Sequence, residues 1–126
     1  MKEFAVWKRW TGEFAANLFG ALLQLRDYTI KHGEMPAWID EWRLQVAPLR
    51  RRHGFQILGA WTIDGADRFI WIMKYEGPKI FGQADSDYYQ SRERKAMDPD
   101  PARHIAHSET RFITSVVEQG VTGSRL

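Results

Sequence analysis

Two apolar stretches joined by a short turn constrain the fold more than any other part of the sequence. FQILGAWTI and RFIWIMKY flank Asp64-Gly65-Ala66-Asp67, a pattern typical of a β-hairpin. Pairing them sets Ile63 opposite Arg68. Strict alternation then groups Ile57, Gly59 and Trp61 with Ile70 and Ile72, and leaves Trp71 and Tyr75 on the other face. Both faces are apolar, so both must be covered in the folded protein.

The hairpin lies in the middle of a regular order of strands and helices. Residues 21–30 predict a strand that ends at His32-Gly33, and an apolar stripe with helical spacing follows from Met35 to Leu49. Pro48 lies inside this helix and is expected to kink it near Arg43–Leu44. A second helix follows Gly77-Pro78, and RHIAHSETRFITSV predicts the last strand.

This order is that of the α+β class and of the ferredoxin-like βαββαβ unit. Right-handed crossovers put both helices on one face of a four-stranded antiparallel sheet. The other face, which we call the open face, needs a different cover. A second copy of the chain is the simplest candidate, so a homodimer is predicted.

The domain is expected to span residues 21–115, with extensions at both ends. Residues 1–20 predict an extra N-terminal amphipathic helix, and residues 116–126 a flexible polar tail. The N-terminal helix either packs on the body or a second subunit, or forms a lid or a surface-seeking helix. Its apolar stripe consists of Phe4, Trp7, Trp10, Phe14 and Leu18.

Composition excludes several classes of protein. The chain of 126 residues has no cysteine, which excludes disulfides, thiolate nucleophiles and Cys-ligated metals. A net charge of +2 gives no argument for nucleic acid or an anionic membrane as partner. No apolar run reaches the ~20 residues of a membrane span, and charges break the N-terminal apolar run, so a cytoplasmic protein is expected. Phosphate-cradling GxGxxG and GxxxxGKS motifs and serine nucleophile elbows are absent.

A small-molecule site is predicted on the open face. Arg26 and Tyr28 share a face of the first strand, and His107, Glu109 and Arg111 share a face of the last. Burying such residues beneath helices would carry a large desolvation cost, which favours the open face beside the hairpin aromatics. The alternative is an ion-pair network that ties strands or subunits together. The candidate ligand-binding residues are Arg26, Tyr28, Trp71, Tyr75, His107 and Arg111.

Other polar residues are interpreted as structural. Arg50, Arg51 and Arg52 are expected to be a solvated helix end, and Asp85 and Asp87 to be solvated on the second helix. His104 and His107 point to opposite faces of a strand and cannot chelate one metal together, so no metal is predicted.

Five stretches of the chain resemble the NIPSNAP family. They are QLRDYTIKHGEMPAWIDEWRLQVAPLRRRHGF, GAW, FIWIMKYEGP, ADSDYYQSRERKAMDPDPARHI and ETRF, within Leu22 to Ile113. The part from Tyr88 to Pro101 is the most specific. The residues before Ala21 depart from the usual small bacterial form.

The resemblance implies a dimeric α+β barrel, in which two ferredoxin-like sheets close into one barrel. It implies no settled activity. The wider superfamily includes cofactor-free oxygenases, muconolactone-type isomerases and haem proteins, but no catalytic motif of theirs is found here, so no catalytic residue is assigned and no cofactor is expected. Two functions remain: a barrel that binds a small aromatic or anionic molecule, or a non-catalytic dimeric interaction or regulatory module.

Overall fold

The computed structural model describes residues 22–117. The N-terminal amphipathic helix expected for residues 1–20, and all but the first two residues of the expected tail, lie outside the described residues. Among those that are described, no helix is long and apolar enough to cross a membrane.

The described chain follows the predicted order of strands and helices. It runs β1 (Leu22–Ile30), α1 (Met35–Glu41), a π-helical segment (Trp42–Val46), α2 (Ala47–Arg52), β2 (Phe55–Ile63), β3 (Arg68–Tyr75), α3 (Phe81–Gln90), α4 (Arg92–Lys95), a 3-10 turn (Pro101–His104) and β4 (Ile105–Ile113). The β2–β3 turn contains Gly65 at φ +76°, a left-handed conformation that favours glycine.

The four strands form one antiparallel sheet in the order β2-β3-β1-β4. The ferredoxin-like α+β fold is therefore confirmed, and β1 and β4 are neighbours. The helices among the described residues pack on one face, here called the covered face. Its core consists largely of aromatic and aliphatic side chains from β1, β3 and the helices, including Tyr28, Trp38, Trp42, Phe69, Trp71, Met73 and Tyr88.

Pro48 interrupts the first helix without ending it. It has no N–H to donate to the carbonyl of Leu44, and the π-helical segment lies immediately before the turn that contains it. The N–H of Ala47 donates to the carbonyl of Trp42, five residues back. α1, the π-helical segment and α2 thus form one continuous long helix with an irregular centre, at the place where the sequence predicts a disturbance.

Strict alternation fails at two β-bulges. The β2–β3 register shifts between Ile57 and Gly59, so Ile57 lies opposite Met73 on the covered face, not with Trp61 as expected. Ile63 does face Arg68 as predicted. A second shift pairs Thr29 with His107 but Ile30 with Ile105, so the extra residue is Ala106 of β4 and Ile105 lies on the covered face with Ile30. Each bulge reverses the face on which the residues beyond it lie.

Candidate functional site

The six predicted ligand-binding residues do not form one group. Arg26 lies opposite Trp71 on β3 and Thr110 on β4, and therefore on the covered face together with Tyr28. Arg111 lies opposite Leu25, and His107 opposite Thr29, on the open face. The prediction that Arg26, Tyr28, His107 and Arg111 converge on the open face is wrong, because β1 and β4 pair in a register that separates them.

The residues on the covered face border a cavity of about 260 Å³ between the sheet, the long helix and the 3-10 turn. Arg26, Tyr28 and Trp71 line it, whereas Tyr75 packs against Phe55 and Phe81 instead. The remaining lining residues come from the helices, the 3-10 turn and β4: Trp38, Val46, Arg50, Tyr88, Tyr89, Arg94, Pro101, Ala102, Ile105 and Ser108.

Arg26 is held in the cavity wall by neutral acceptors. Its Nε donates to the Tyr28 hydroxyl at 2.8 Å, Nη1 to Gln24 Oε1 at 2.6 Å and Nη2 to the Tyr89 hydroxyl at 2.8 Å. Burial works against the charged form, but the phenols of Tyr28 and Tyr89 and the more distant Asp85 carboxylate raise the pKa of Arg26 overall. The guanidinium therefore stays charged beneath the helices.

Arg50 enters the cavity from the opposite side, in the last turn of the long helix. Only 1% of its side chain is exposed, and its guanidinium carbon lies 3.7 Å from the centre of the Tyr88 ring and 6.0 Å from that of Trp71. Nη1 donates to Asp85 Oδ1 at 2.7 Å, but the buried Nε has no acceptor among the described residues. Arg50 is thus a buried cation with an unused donor.

Several buried hydrogen-bond donors in the cavity wall have no acceptor among the described residues. The indole N–H groups of Trp38 and Trp71 are buried and, within residues 22–117, find no acceptor. Burial raises the pKa of the Tyr28 hydroxyl, which accepts from Arg26 and retains its own proton. Buried donors without partners are unusual and costly. Three of the four in the described chain belong to residues that line this cavity, the fourth being the indole N–H of Trp42, and this is the strongest indication of a binding site there.

The polar residues of the open face are paired with one another. Glu109 accepts from Arg111 at 2.5 Å and lies 3.2 Å from His107 Nε2. His107 and then Arg111 hold the pKa of Glu109 below its ordinary value. Asp27 is paired with Arg68 in the same way, and hydrogen bonding to Arg68 lowers its pKa. This cluster leaves no open-face arginine that needs a ligand.

A second polar cluster fastens the 3-10 turn to α1. The buried side chain of His104 places Nδ1 2.8 Å from Glu34 and Nε2 3.2 Å from Glu41. Glu41 also receives two hydrogen bonds from Arg103, which lower its pKa. No group in the described part of the chain has the geometry of a metal site. The cluster instead fixes one wall of the cavity, because Pro101 and Ala102 of the same turn line it.

Sequence reasoning missed Arg50 and Asp85. Both were interpreted as solvated, yet Arg50 is buried and Asp85 is its partner, with 27% of its side chain exposed. The signal for Arg50 was its position four residues after Val46, on the continuation of the apolar stripe. Arg51 and Arg52, the other two residues of that group, are exposed as expected.

Three solved structures of other proteins are similar to this fold. An uncharacterized NIPSNAP domain protein from Burkholderia xenovorans is 17% identical, with a TM-score of 0.66 over 75% of this chain and 93% of that one. A NIPSNAP family protein from Agrobacterium tumefaciens is 16% identical, with a TM-score of 0.68 over 75% and 85%. A putative antibiotic biosynthesis monooxygenase from Nitrosomonas europaea is 10% identical, with a TM-score of 0.56 over 76% and 99%.

At these identities, the three structures show a likeness to this chain in fold alone. The comparison with curated proteins finds no match. The NIPSNAP family model, by contrast, matches residues 23–119, more than half of the chain and nearly all of the described fold. The chain therefore belongs to the NIPSNAP family.

Proposed function

We propose that this NIPSNAP protein is a homodimer in which each subunit binds a small organic molecule in the cavity beneath its helices. The excess of donors in the cavity wall carries the proposal. Arg50 Nε and the indole N–H groups of Trp38 and Trp71 are buried without acceptors among the described residues. A ligand with oxygen acceptors would satisfy them and remove the cost of their burial.

The cavity also limits the size and shape of the ligand. Its volume of about 260 Å³ lies below the range of drug-sized sites, which begins near ~300 Å³. Trp38, Trp71, Tyr88 and Tyr89 present ring surfaces to it. These rings favour a flat molecule of one or two rings, in which aromatic faces contact the wall and oxygen atoms meet the donors.

We propose binding without assigning a reaction. Of the described residues that line the cavity, none is a carboxylate or a histidine. General acid–base catalysis uses such groups most often, and burial raises the pKa of the Tyr28 and Tyr88 hydroxyls. A cofactor-independent oxygenase or isomerase, as in the wider superfamily, would have to rely on the reactivity of the substrate itself.

Binding is tested by thermal denaturation with benzoate, salicylate and 1-naphthoate, each at millimolar concentration. We expect at least one acid to raise the Tm of the wild type and of Arg111→Ala, whose residue lies on the open face. Arg50→Met should lose the shift, and Tyr89→Phe provides a milder change at the cavity if Arg50→Met does not fold. Absence of any shift, with these acids and with the corresponding amides, contradicts the proposal.

The dimer is supported by the composition of the open face. Trp61 and Ile63 are 52% and 40% exposed there, and Leu25, Ile70 and Ile72 extend the apolar surface across the sheet. The charged residues on this face pair among themselves, so two copies can meet without an unmatched charge. Contact between two such faces would form the barrel that the family resemblance implies.

Light scattering tests the dimer. We expect twice the chain mass of 14.7 kDa for the wild type and the monomer mass for Ile72→Asp, which puts an unpaired carboxylate in the apolar part of the open face. Ile80→Asp, a change at an exposed residue before α3, is the control and should remain dimeric. A wild-type monomer at micromolar concentration overturns this part of the proposal.

The alternative is a non-catalytic interaction or regulatory module. The pairing of Glu109 with both His107 and Arg111 favours it, because all three residues lie on β4 and their matched charges suit a contact between subunits. A stable dimer that binds no acid or amide in the thermal assay would support this alternative and exclude the ligand-binding function.

A further inference from the structure

The charge in the cavity wall is unbalanced. Arg26 and Arg50 have 7% and 1% of their side chains exposed, and both face one carboxylate oxygen, Asp85 Oδ1. Arg50 Nη1 lies 2.7 Å from it and Arg26 Nη1 3.7 Å. Two buried cations therefore share a single anion, which leaves one positive charge without a counter-charge.

The other charges nearby do not change this count. Arg94, the third arginine that lines the cavity, is matched by Asp100 at 2.9 Å. Arg26 otherwise binds the neutral oxygens of Gln24, Tyr28 and Tyr89, which accept hydrogen bonds but carry no charge. Of the residues described, no carboxylate lines the cavity.

The unpartnered Nε of Arg50 shows where the missing charge is needed. A buried guanidinium is stabilised when an anion accepts from it, and such charge-assisted hydrogen bonds are about twice as strong as neutral ones. With the rings of Tyr88 and Trp71 beside it, only 1% of the Arg50 side chain is exposed, so solvent screens its charge little. One carboxylate at this position would supply both the acceptor and the counter-charge.

We propose that the cavity selects a planar ligand with a single negative charge, and that Asp85 sets this charge count. The inference rests on the proposed ligand-binding function and specifies its ligand class. A neutral molecule would leave the second arginine unmatched, and a dianion would bring one charge too many beside Asp85. Removing the charge of Asp85 should therefore move the preference from a monoanion towards a dianion.

Three ligands of nearly the same shape separate charge from size. Isophthalamide is neutral, 3-carbamoylbenzoate is a monoanion and isophthalate is a dianion. Titration calorimetry at pH 7.5 is expected to give the wild type at least tenfold tighter binding of the monoanion than of either of the others. Asp85→Asn should bind the dianion at least as tightly as the monoanion. Asp87→Asn is the matched control, because Asp87 lies on the same helix and pairs with Lys79 away from the cavity.

Each result supports or overturns the inference. Equal binding of the neutral ligand, or preference of the wild type for the dianion, overturns the charge selection while leaving the ligand-binding function in place. An unchanged preference in Asp85→Asn overturns the role of Asp85. If that variant does not fold, the order of the three ligands on the wild type decides. If no ligand binds, here or among the acids of the thermal assay, the ligand-binding function itself fails.

Discussion

The two faces of the sheet differ in whether their charged side chains have partners of opposite charge. On the open face, Glu109 matches Arg111 and His107, and Asp27 matches Arg68. On the covered face, two arginines share the single carboxylate of Asp85, and three buried donors of the cavity wall lack acceptors among the described residues. Exposure runs the other way, since the side chains of Arg111 and His107 are 66% and 65% exposed and those of Arg26 and Arg50 are almost fully buried.

This difference assigns association between subunits and ligand binding to different faces of the sheet. Charges that are already matched add little affinity for a small ligand, and they suit a surface that meets an identical surface. Buried hydrogen-bond donors without partners are costly until a ligand supplies acceptors. We therefore expect the open face to govern association and the covered face to govern ligand binding.

The largest test of this comparison uses one tryptophan from each face. Trp71→Ala removes a ring that is 1% exposed and contacts Trp42 and Tyr28, and should lower the free energy of unfolding by about 3–5 kcal/mol. Trp61→Ala, at 52% exposure, should cost the monomer under about 1 kcal/mol. Urea denaturation in the Ile72→Asp background measures both changes without dimerisation. Similar losses at the two positions would remove the distinction between the faces.

The second test compares two histidines with similar partners. His104→Gln breaks at least one of the two contacts that a buried ring makes with Glu34 and Glu41, so a loss of about 1–3 kcal/mol is expected. His107→Gln changes an exposed pair with Glu109 and should stay within about 0.5 kcal/mol of the wild type. Urea denaturation of both variants gives the answer, and an equal loss would mean that burial does not distinguish them.

The smallest effect is expected from lowering the pH, which should weaken the proposed dimer. The folded protein holds the pKa values of Asp27 and Glu109 below their ordinary range, through Arg68 and through His107 with Arg111 respectively. Their pairing therefore stabilises the folded protein at neutral pH and is lost as the pH falls through those lowered values. Protonation leaves only positive charges on the open face, so the dimer should weaken below about pH 4. Light scattering from pH 7 to pH 3 measures this, and a dimer equally stable throughout would contradict it.

The fold follows from local patterns in the sequence. The turn Asp64–Asp67 predicts the hairpin, the stripe from Met35 to Leu49 predicts the long helix, and the crossover rule predicts helices on one face of a four-stranded antiparallel sheet. Pro48 marked where the helical hydrogen bonding changes. Each of these features depends on residues close together in the chain, which is why they could be read from the sequence.

The site depends on interactions between distant residues. Arg26 was placed on the open face because an isolated buried charge is costly, but Gln24, Tyr28 and Tyr89 offset that cost with three hydrogen bonds. Tyr89 lies 63 residues away in the chain. The bulge between Ile57 and Gly59 likewise reversed part of β2, and no local signal predicted it. Partners of this kind become visible only when the tertiary structure is known.

The aromatic rings of the covered face should give the cavity a near-ultraviolet circular dichroism signal. Trp42 and Trp71 lie 5.4 Å apart, nearly perpendicular to each other, and Tyr28 and Phe69 link them to Trp38. Rigid, closely spaced indoles in a chiral arrangement produce strong near-ultraviolet circular dichroism, which disappears when side-chain packing loosens. A ligand that reaches Trp38 and Trp71 should alter this signal, whereas Trp61, which packs over Gly59 on the open face, should respond to dimer formation through its fluorescence. Among the described tryptophans, separate ones would thus report on the proposed ligand and on the proposed dimer.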